Sequence, residues 1–462
     1  MSVLTDSTSE ANMVYKKRVK KLGSLLTNAL ERTGTDKAWP LKQLRKMIIR
    51  RKTMTRQRIP QDDTSESDVS ESDIPYDVPV SDVTIDLTHL KGDDLKRTVL
   101  SLIHAQLPDW KDVTLPYLTL ERVSGALTNA VFYVTATTPP ERKVLLRIYG
   151  VGVEQLFQRE RELHWLRLLS QLNIGAQLRG VFANGRFEQY LDSATLTKED
   201  IRDPATSVHI AQRLCELHNI VDTFPPSAEE KSRPEVWTNI GKWYPLAVES
   251  AQELARKDET KRTVLEKLDV EKLWGEIEEM KRVLAGVWSP IVFGHNDAQY
   301  GNILRLKDHT HELVVVDFEY AGYNYRGFDI SNHFCEWMAD YHSSTPAELH
   351  PDRYPTRNEQ MRFLNAYLDA QDAKHGQLND PDRKSALESL RRECEAWAMA
   401  SHALWGLWGL IQASQSEIEF DYLRYGVQRI EMFRKGLEAY SLVYTPSIFL
   451  FHNRSHRQVH CK

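Results

Sequence analysis

The stretch FGHNDAQYGN, residues 293–302, places a His, two Asn, an Asp and a Gln in ten positions between short apolar runs. A polar turn held by side-chain to backbone bonds would have the same composition. The downstream segment ELVVVDFEY separates the two readings. It puts Asp317 at the end of an apolar strand, fifteen residues after Asn302, which itself follows Asp297 by five. Phosphoryl transfer needs little covalent chemistry from a protein: a carboxylate to orient a hydroxyl, and oxygen ligands that hold Mg²⁺ against the phosphates. Asp297 suits the first task, and Asn302 with Asp317 the second. Asp-x-x-x-x-Asn alone is a weak signal; with VVVDF at this distance it is a strong one.

The upstream chain must position such a site and supply the nucleotide contacts. YLTLERVSGALTNAVFYVTATT and RKVLLRIYG read as strands rich in β-branched and aromatic residues. EQLFQRERELHWLRLLSQL reads as a helix, and LRGVFANGRFEQYL as a strand pair turning at Asn184-Gly185. Together they predict a small antiparallel sheet with one helix across it. SGALTNAVFYV reads as strand-turn-strand, and its segment Ser124, Gly125, Ala126, Leu127, Thr128 and Asn129, with several small residues, could cover phosphates although it is not G-x-G-x-x-G. Arg147 ends an apolar strand as a phosphate contact, and Glu162 on the next helix is its expected ionic partner. A surface pair would look alike and contribute about 0–1 kcal/mol. Gln189 and Tyr190 fall where a hinge would offer its backbone to adenine. An amphipathic helix is expected before the sheet, within VTIDLTHLKGDDLKRTVLSLIHAQL. Beyond residue 205 the pattern is mostly helical, in segments such as SVHIAQRLCELHNI, ETKRTVLEKLDVEKLWGEIEEMKRVL and RRECEAWAMASHALWGLWGLIQASQ.

Composition limits the alternatives. The 462 residues are 41% hydrophobic and 27% charged, with a net charge of -5, which gives no bulk attraction to nucleic acid. No apolar run reaches a membrane span and the N-terminus has no apolar signal region, so a cytoplasmic location is expected. Four scattered cysteines fit reduced thiols rather than a disulfide frame or a zinc site. Residues 1–83 read as a basic then acidic, serine-rich extension without a core, with patterns that suit regulatory protein kinases or merely a solvated tail. Residues 84–190 then form the nucleotide lobe and 191–462 the helical lobe.

HNDAQYGN, VVVDFEYAGYNYRGFDISNHFCEWMADY and WAMASHALWGLWGLIQASQSEIEFDYLRY resemble the choline/ethanolamine kinases, within the aminoglycoside-phosphotransferase-like branch of the kinase fold. The resemblance runs from about residue 90 to 440 and implies an α+β, bilobal protein-kinase-like fold. It implies ATP-dependent phosphorylation of choline to phosphocholine with Mg²⁺, the first step of a phosphatidylcholine branch, with some ethanolamine activity. Homodimers are common among such proteins. Position by position, it makes Asp297 the base, Asn302 and Asp317 metal ligands, and Gln299 a neighbour of metal and nucleotide. Tyr320, Glu336, Tyr341, Trp405, Trp408 and Tyr425 become the choline pocket, although a Trp stripe at that spacing also suits plain helix core. Aromatic faces with a carboxylate suit a quaternary ammonium, which donates no hydrogen bond. Ser124 stands where the family has Gly, and Gly294 where it commonly has Cys, a change expected to matter little. Asp329 is expected to cap a helix and steady the loop, His295 to hold the loop backbone, and His333 and His402 to be core or helix-surface residues. Ethanolamine kinase as the main activity and an inactive binding protein of the same fold remain alternatives.

Overall fold

The computed structural model describes residues 78–123, 129–149, 159–376, 380–416 and 418–452. The larger sheet contains β1 (Val80–Ser81), β2 (Leu118–Arg122), β3 (Asn129–Ala136), β4 (Arg142–Tyr149), β5 (Leu178–Phe182) and β6 (Gly185–Gln189), ordered β1-β5-β6-β4-β3-β2. Alternation along β4 decides its two faces. Val144, Leu146 and Ile148 point into a core shared with Val134, Phe187 and the helix α1 (Gly92–Gln106). Arg147 emerges on the other face, directly across from Arg186 of β6.

Two features depart from the expected lobe. β1 pairs parallel to β5, so the ordered lobe begins before residue 84. Residues 83–91 are also not helical. The Asn184 side chain accepts from Ile85 N (2.9 Å) and donates to Ile85 O (2.8 Å), as a strand partner would, and α1 starts only at Gly92. Most of the expected N-terminal extension, and the start of the helix predicted at 154, lie outside the described residues. That helix, α2, runs over Arg159–Leu172.

The remaining chain is largely helical: α3 (Pro204–His218), α4 (Ala228–Ser232), α5 (Glu235–Lys257), α6 (Glu259–Leu268) and α7 (Leu273–Ala285) lead up to the motif. The charged segment expected as one helix breaks between α6 and α7 at Asp269, which adopts φ 49°. After the motif come α8 (Arg326–Glu336), α9 (Arg357–His375), α10 (Asp380–Gln415) and α11 (Tyr422–His452). Short strands carry the motif; of these the sequence patterning separated only the one within ELVVVDFEY from loops. β7 (Ser193–Thr195), β9 (Ile303–Leu306) and β10 (Leu313–Val315) form one sheet; β8 (Ile291–Gly294) pairs with β11 (Gly322–Tyr325) in another. Each is three or four residues long, too short for alternation to register. No helix among the described residues is long and apolar enough to cross a membrane.

Candidate active site

β8 delivers the polar loop and β11 fixes its far side. Between them Asn296 takes φ 65°, a left-handed conformation that Asn tolerates better than most residues. Its side chain is tied on both ends: Nδ2 donates to Tyr320 O (2.8 Å) and Oδ1 accepts from Asn324 (2.7 Å). A Cβ at Gly294 would meet Asn296 Oδ1 at 2.8 Å. Glycine at this position leaves room for that clamp.

Asp329 lies in the first turn of α8 but does not cap it. Tyr325 occupies the cap position, and Asp329 turns inward to take the backbone N–H of His295 (3.0 Å) and Asn296 (2.5 Å). His218 Nε2 completes its set at 2.8 Å. Burial alone would raise the Asp329 carboxyl; the bond and charge of His218, with those amides, hold it below the usual range. Two further imidazoles bind loop carbonyls, His295 on Val316 O (2.9 Å) and His333 on Ala298 O (2.7 Å). Both are buried and pulled below the ordinary imidazole range by that burial. They act as neutral struts.

Held this way, Asp297 meets Asn302, whose Nδ2 donates to Asp297 Oδ2 (2.8 Å) and Asp297 O (2.9 Å). The Asn302 amide oxygen consequently points away from Asp297. Burial, then Glu336, Asp317 and Glu319, push the Asp297 carboxyl well above its ordinary range. A carboxylate raised in that direction is a stronger proton acceptor than an ordinary one. Gln299 lies against Asn302, the expected metal ligand. Its Oε1 accepts from Gly301 N at 2.7 Å and its Nε2 faces Asn302 Oδ1 at 3.4 Å, so its polar atoms shape the turn.

Asp317 follows β10 with φ 67° and receives Arg147 from the sheet at 3.3 Å. The expected Arg147–Glu162 pair does not form. Glu162 instead binds Arg186 at 2.8 Å, and Arg186 also binds Glu188, a neighbour of Arg147 at 3.6 Å. The register explains the exchange. Arg186 lies opposite Arg147 on the same sheet face but is wholly buried beneath α2, which leaves Arg147 nearer the loop. Sequence reading missed Arg186 and Glu188 because cross-strand partners depend on register, which no local pattern fixes. It also missed Glu319, two residues past Asp317, whose carboxyl is raised well above normal by burial and by Asp317.

The adenine-facing side needs a correction too. The Gln189 N–H is committed to Gln177 O (2.8 Å) within the sheet, so the backbone N–H offered to a base cannot be that of Gln189. The Tyr190 ring meets Tyr133 edge-on at 5.6 Å, on the Arg147 face of the sheet. Ser124 through Thr128 lie outside the described residues; Asn129 is described only as the first residue of β3.

Rings gather beside the loop. Tyr320 and Trp405 are 5.1 Å apart, Trp405 and Trp408 5.5 Å, and Trp408 and Tyr425 6.1 Å, all edge-to-face. Glu336 at the end of α8 accepts from Tyr341 Oη at 2.6 Å and pairs with Arg429, a buried cation that sequence reading did not select. The choline/ethanolamine kinase family matches residues 120–434. The chain belongs to that family. It is 38% identical to a choline kinase of Schizosaccharomyces pombe over 368 residues, covering 71% of this chain and 79% of that one. It is 35% identical to a choline/ethanolamine kinase of Homo sapiens over 336 residues (70% and 81%). A probable ethanolamine kinase of Arabidopsis thaliana is 34% identical over 365 residues (78% and 90%). Among solved structures, a choline kinase of Cryptosporidium parvum superposes with TM-score 0.59 at 25% identity, covering 74% of this chain and 95% of that one. An ethanolamine kinase of Plasmodium vivax gives 0.60 at 25% (75% and 91%). The sheet lobe and helical lobe are thus those of this kinase family.

Proposed function

We propose that this family member transfers the γ-phosphoryl group of ATP to choline, forming phosphocholine and ADP, with ethanolamine as a weaker substrate. The observation that carries the reading is what surrounds one carboxylate: Asp297 accepts from Asn302, feels the charges of Asp317, Glu319 and Glu336, and lies close enough to Tyr320 and Tyr425 of the aromatic cluster to act on them. Asp297 orients the substrate hydroxyl and takes its proton as the O–P bond forms. Arg147 reaches the phosphates from the sheet, with Asp317 already beside it. The faces of Trp405, Trp408, Tyr320 and Tyr425 receive the ammonium group.

Among the described residues no three His, Cys, Asp or Glu side chains converge to hold a metal unaided. That suits Mg²⁺, which binds through one or two carboxylates together with phosphate oxygens and water. Asp317 and the outward amide oxygen of Asn302 would hold it, and when bound it neutralises charge developing on the phosphates. The acidic surroundings of Asp297, Asp317 and Glu319 favour such a cation. We place the reaction in the cytoplasm.

ATP consumption with choline, ethanolamine, an aminoglycoside and a peptide, compared side by side, tests the reading. Choline is expected to give the highest kcat/KM. Turnover confined to the aminoglycoside or the peptide would refute it.

A further inference from the structure

Glu336 is a carboxylate beside the aromatic cluster, close to Tyr425, yet both of its oxygens are already engaged by the protein. Oε2 accepts from Tyr341 Oη at 2.6 Å, and Oε1 accepts from Arg429 Nη2. The Arg429 side chain is completely buried, with its guanidinium 5.0 Å from the centre of the Tyr425 ring. His402 Nδ1 lies 3.4 Å from Arg429 Nη1, and burial with that neighbouring cation holds the imidazole neutral. The charge facing Glu336 is therefore the guanidinium's. Elsewhere the cluster contributes rings, and at Trp405 Nε1 a buried donor without a partner. Asp297, the other carboxylate that reaches both Tyr320 and Tyr425, already accepts from Asn302 and serves the substrate hydroxyl in the proposed reaction, so the wall around the ammonium offers π faces and donors but few unengaged acceptors.

That composition distinguishes alkylated ammonium groups. A quaternary ammonium has no N–H and loses nothing where acceptors are taken. A primary ammonium brings three N–H groups, and each one left without an acceptor in a dry pocket forfeits roughly tenfold in affinity. We propose that Arg429 and Tyr341 determine alcohol specificity: by engaging Glu336 they leave each substrate N–H without an acceptor, so that selectivity rises with N-methylation. The inference rests on the aromatic cluster being the ammonium site. Arg429 also makes Glu336 half of an internal neutral pair rather than a free counter-charge, so attraction of the cation falls mainly to the rings.

The methylation series tests this directly. The kcat/KM of ethanolamine, N-methylethanolamine, N,N-dimethylethanolamine and choline would be measured for the wild type, Tyr341→Phe and Arg429→Lys, with a thermal melt of each. In the wild type kcat/KM is expected to climb with each methyl group. Tyr341→Phe keeps the ring but releases Oε2, and should lower the choline-to-ethanolamine ratio about tenfold, the worth of one N–H acceptor. Arg429→Lys, which replaces a planar fork by a point donor, should shift the ratio the same way. Either variant that melts cooperatively decides the matter. A ratio within twofold of wild type, or an equal loss for all four alcohols, overturns the proposal. Failure of the wild type to turn over any of the four would overturn the functional reading, and this proposal with it.

Discussion

Asp297 is the residue on which the proposed chemistry turns, and its surroundings make a pH prediction. Burial and the carboxylates Glu336, Asp317 and Glu319 raise its pKa, which favours the protonated form. The charged form orients the hydroxyl, so kcat/KM should fall as pH drops through that raised value, at a pH above the ordinary carboxylate range. A pH–rate profile whose acid limb lies near pH 4 would contradict this. Asp297→Asn keeps the shape and should cost about 10²–10⁴-fold in kcat while leaving the melt unchanged. Arg147→Met should raise KM for ATP more than KM for choline, since the side chain faces Asp317 and not the rings. That Asp297 is brought together with Asn302 and Asp317 was legible in the sequence because fixed spacing encodes it. The partners of Arg147 were not: Arg186 intervenes through strand register, and the pairing appears only when the sheet is assembled.

At the scale of elements, the catalytic loop is held by groups from α3, α8 and β11 rather than by its own turn chemistry. Asp329 is the centre of that clamp. Its folded pKa is depressed, so its stabilisation is fully present above the ordinary carboxylate pKa of about 4 and is lost as pH falls through the folded value. Asp329→Ala should therefore destabilise the protein by about 3–5 kcal/mol at neutral pH, as removal of one partner of a buried pair does. The wild-type advantage should shrink below pH 4. Denaturant melts of both proteins between pH 3 and 7 measure it; a constant difference across that range would contradict the account. The sequence suggested that Asp329 steadies the loop but placed it at a helix cap, because Asp before an apolar helical run is what a cap looks like. The inward turn follows from β11 ending where α8 begins, and that short strand could not be read from its own few residues.

At the scale of the molecule, the sheet lobe and the helical lobe meet where Arg147 reaches Asp317. The bilobal kinase fold was legible because a β-rich segment precedes a helical one and because two long, specific motifs match the family. The parallel β1, the break between α6 and α7 and the non-helical course of residues 83–91 were not, since local periodicity does not decide them. Magnesium and ATP bound at this junction should stabilise the folded state, by about 2.7 kcal/mol at a hundredfold excess over Kd. The Mg²⁺-dependent part of the thermal shift should disappear in Asp317→Asn and on chelation with EDTA. The most direct test of the central claim is ³¹P NMR of the wild type and Asp297→Asn incubated with ATP, Mg²⁺ and choline. The account predicts a new phosphomonoester signal matching phosphocholine with the wild type, and almost none over the same time with the folded variant. Comparable signals from both proteins, or no phosphocholine from the wild type, would contradict it.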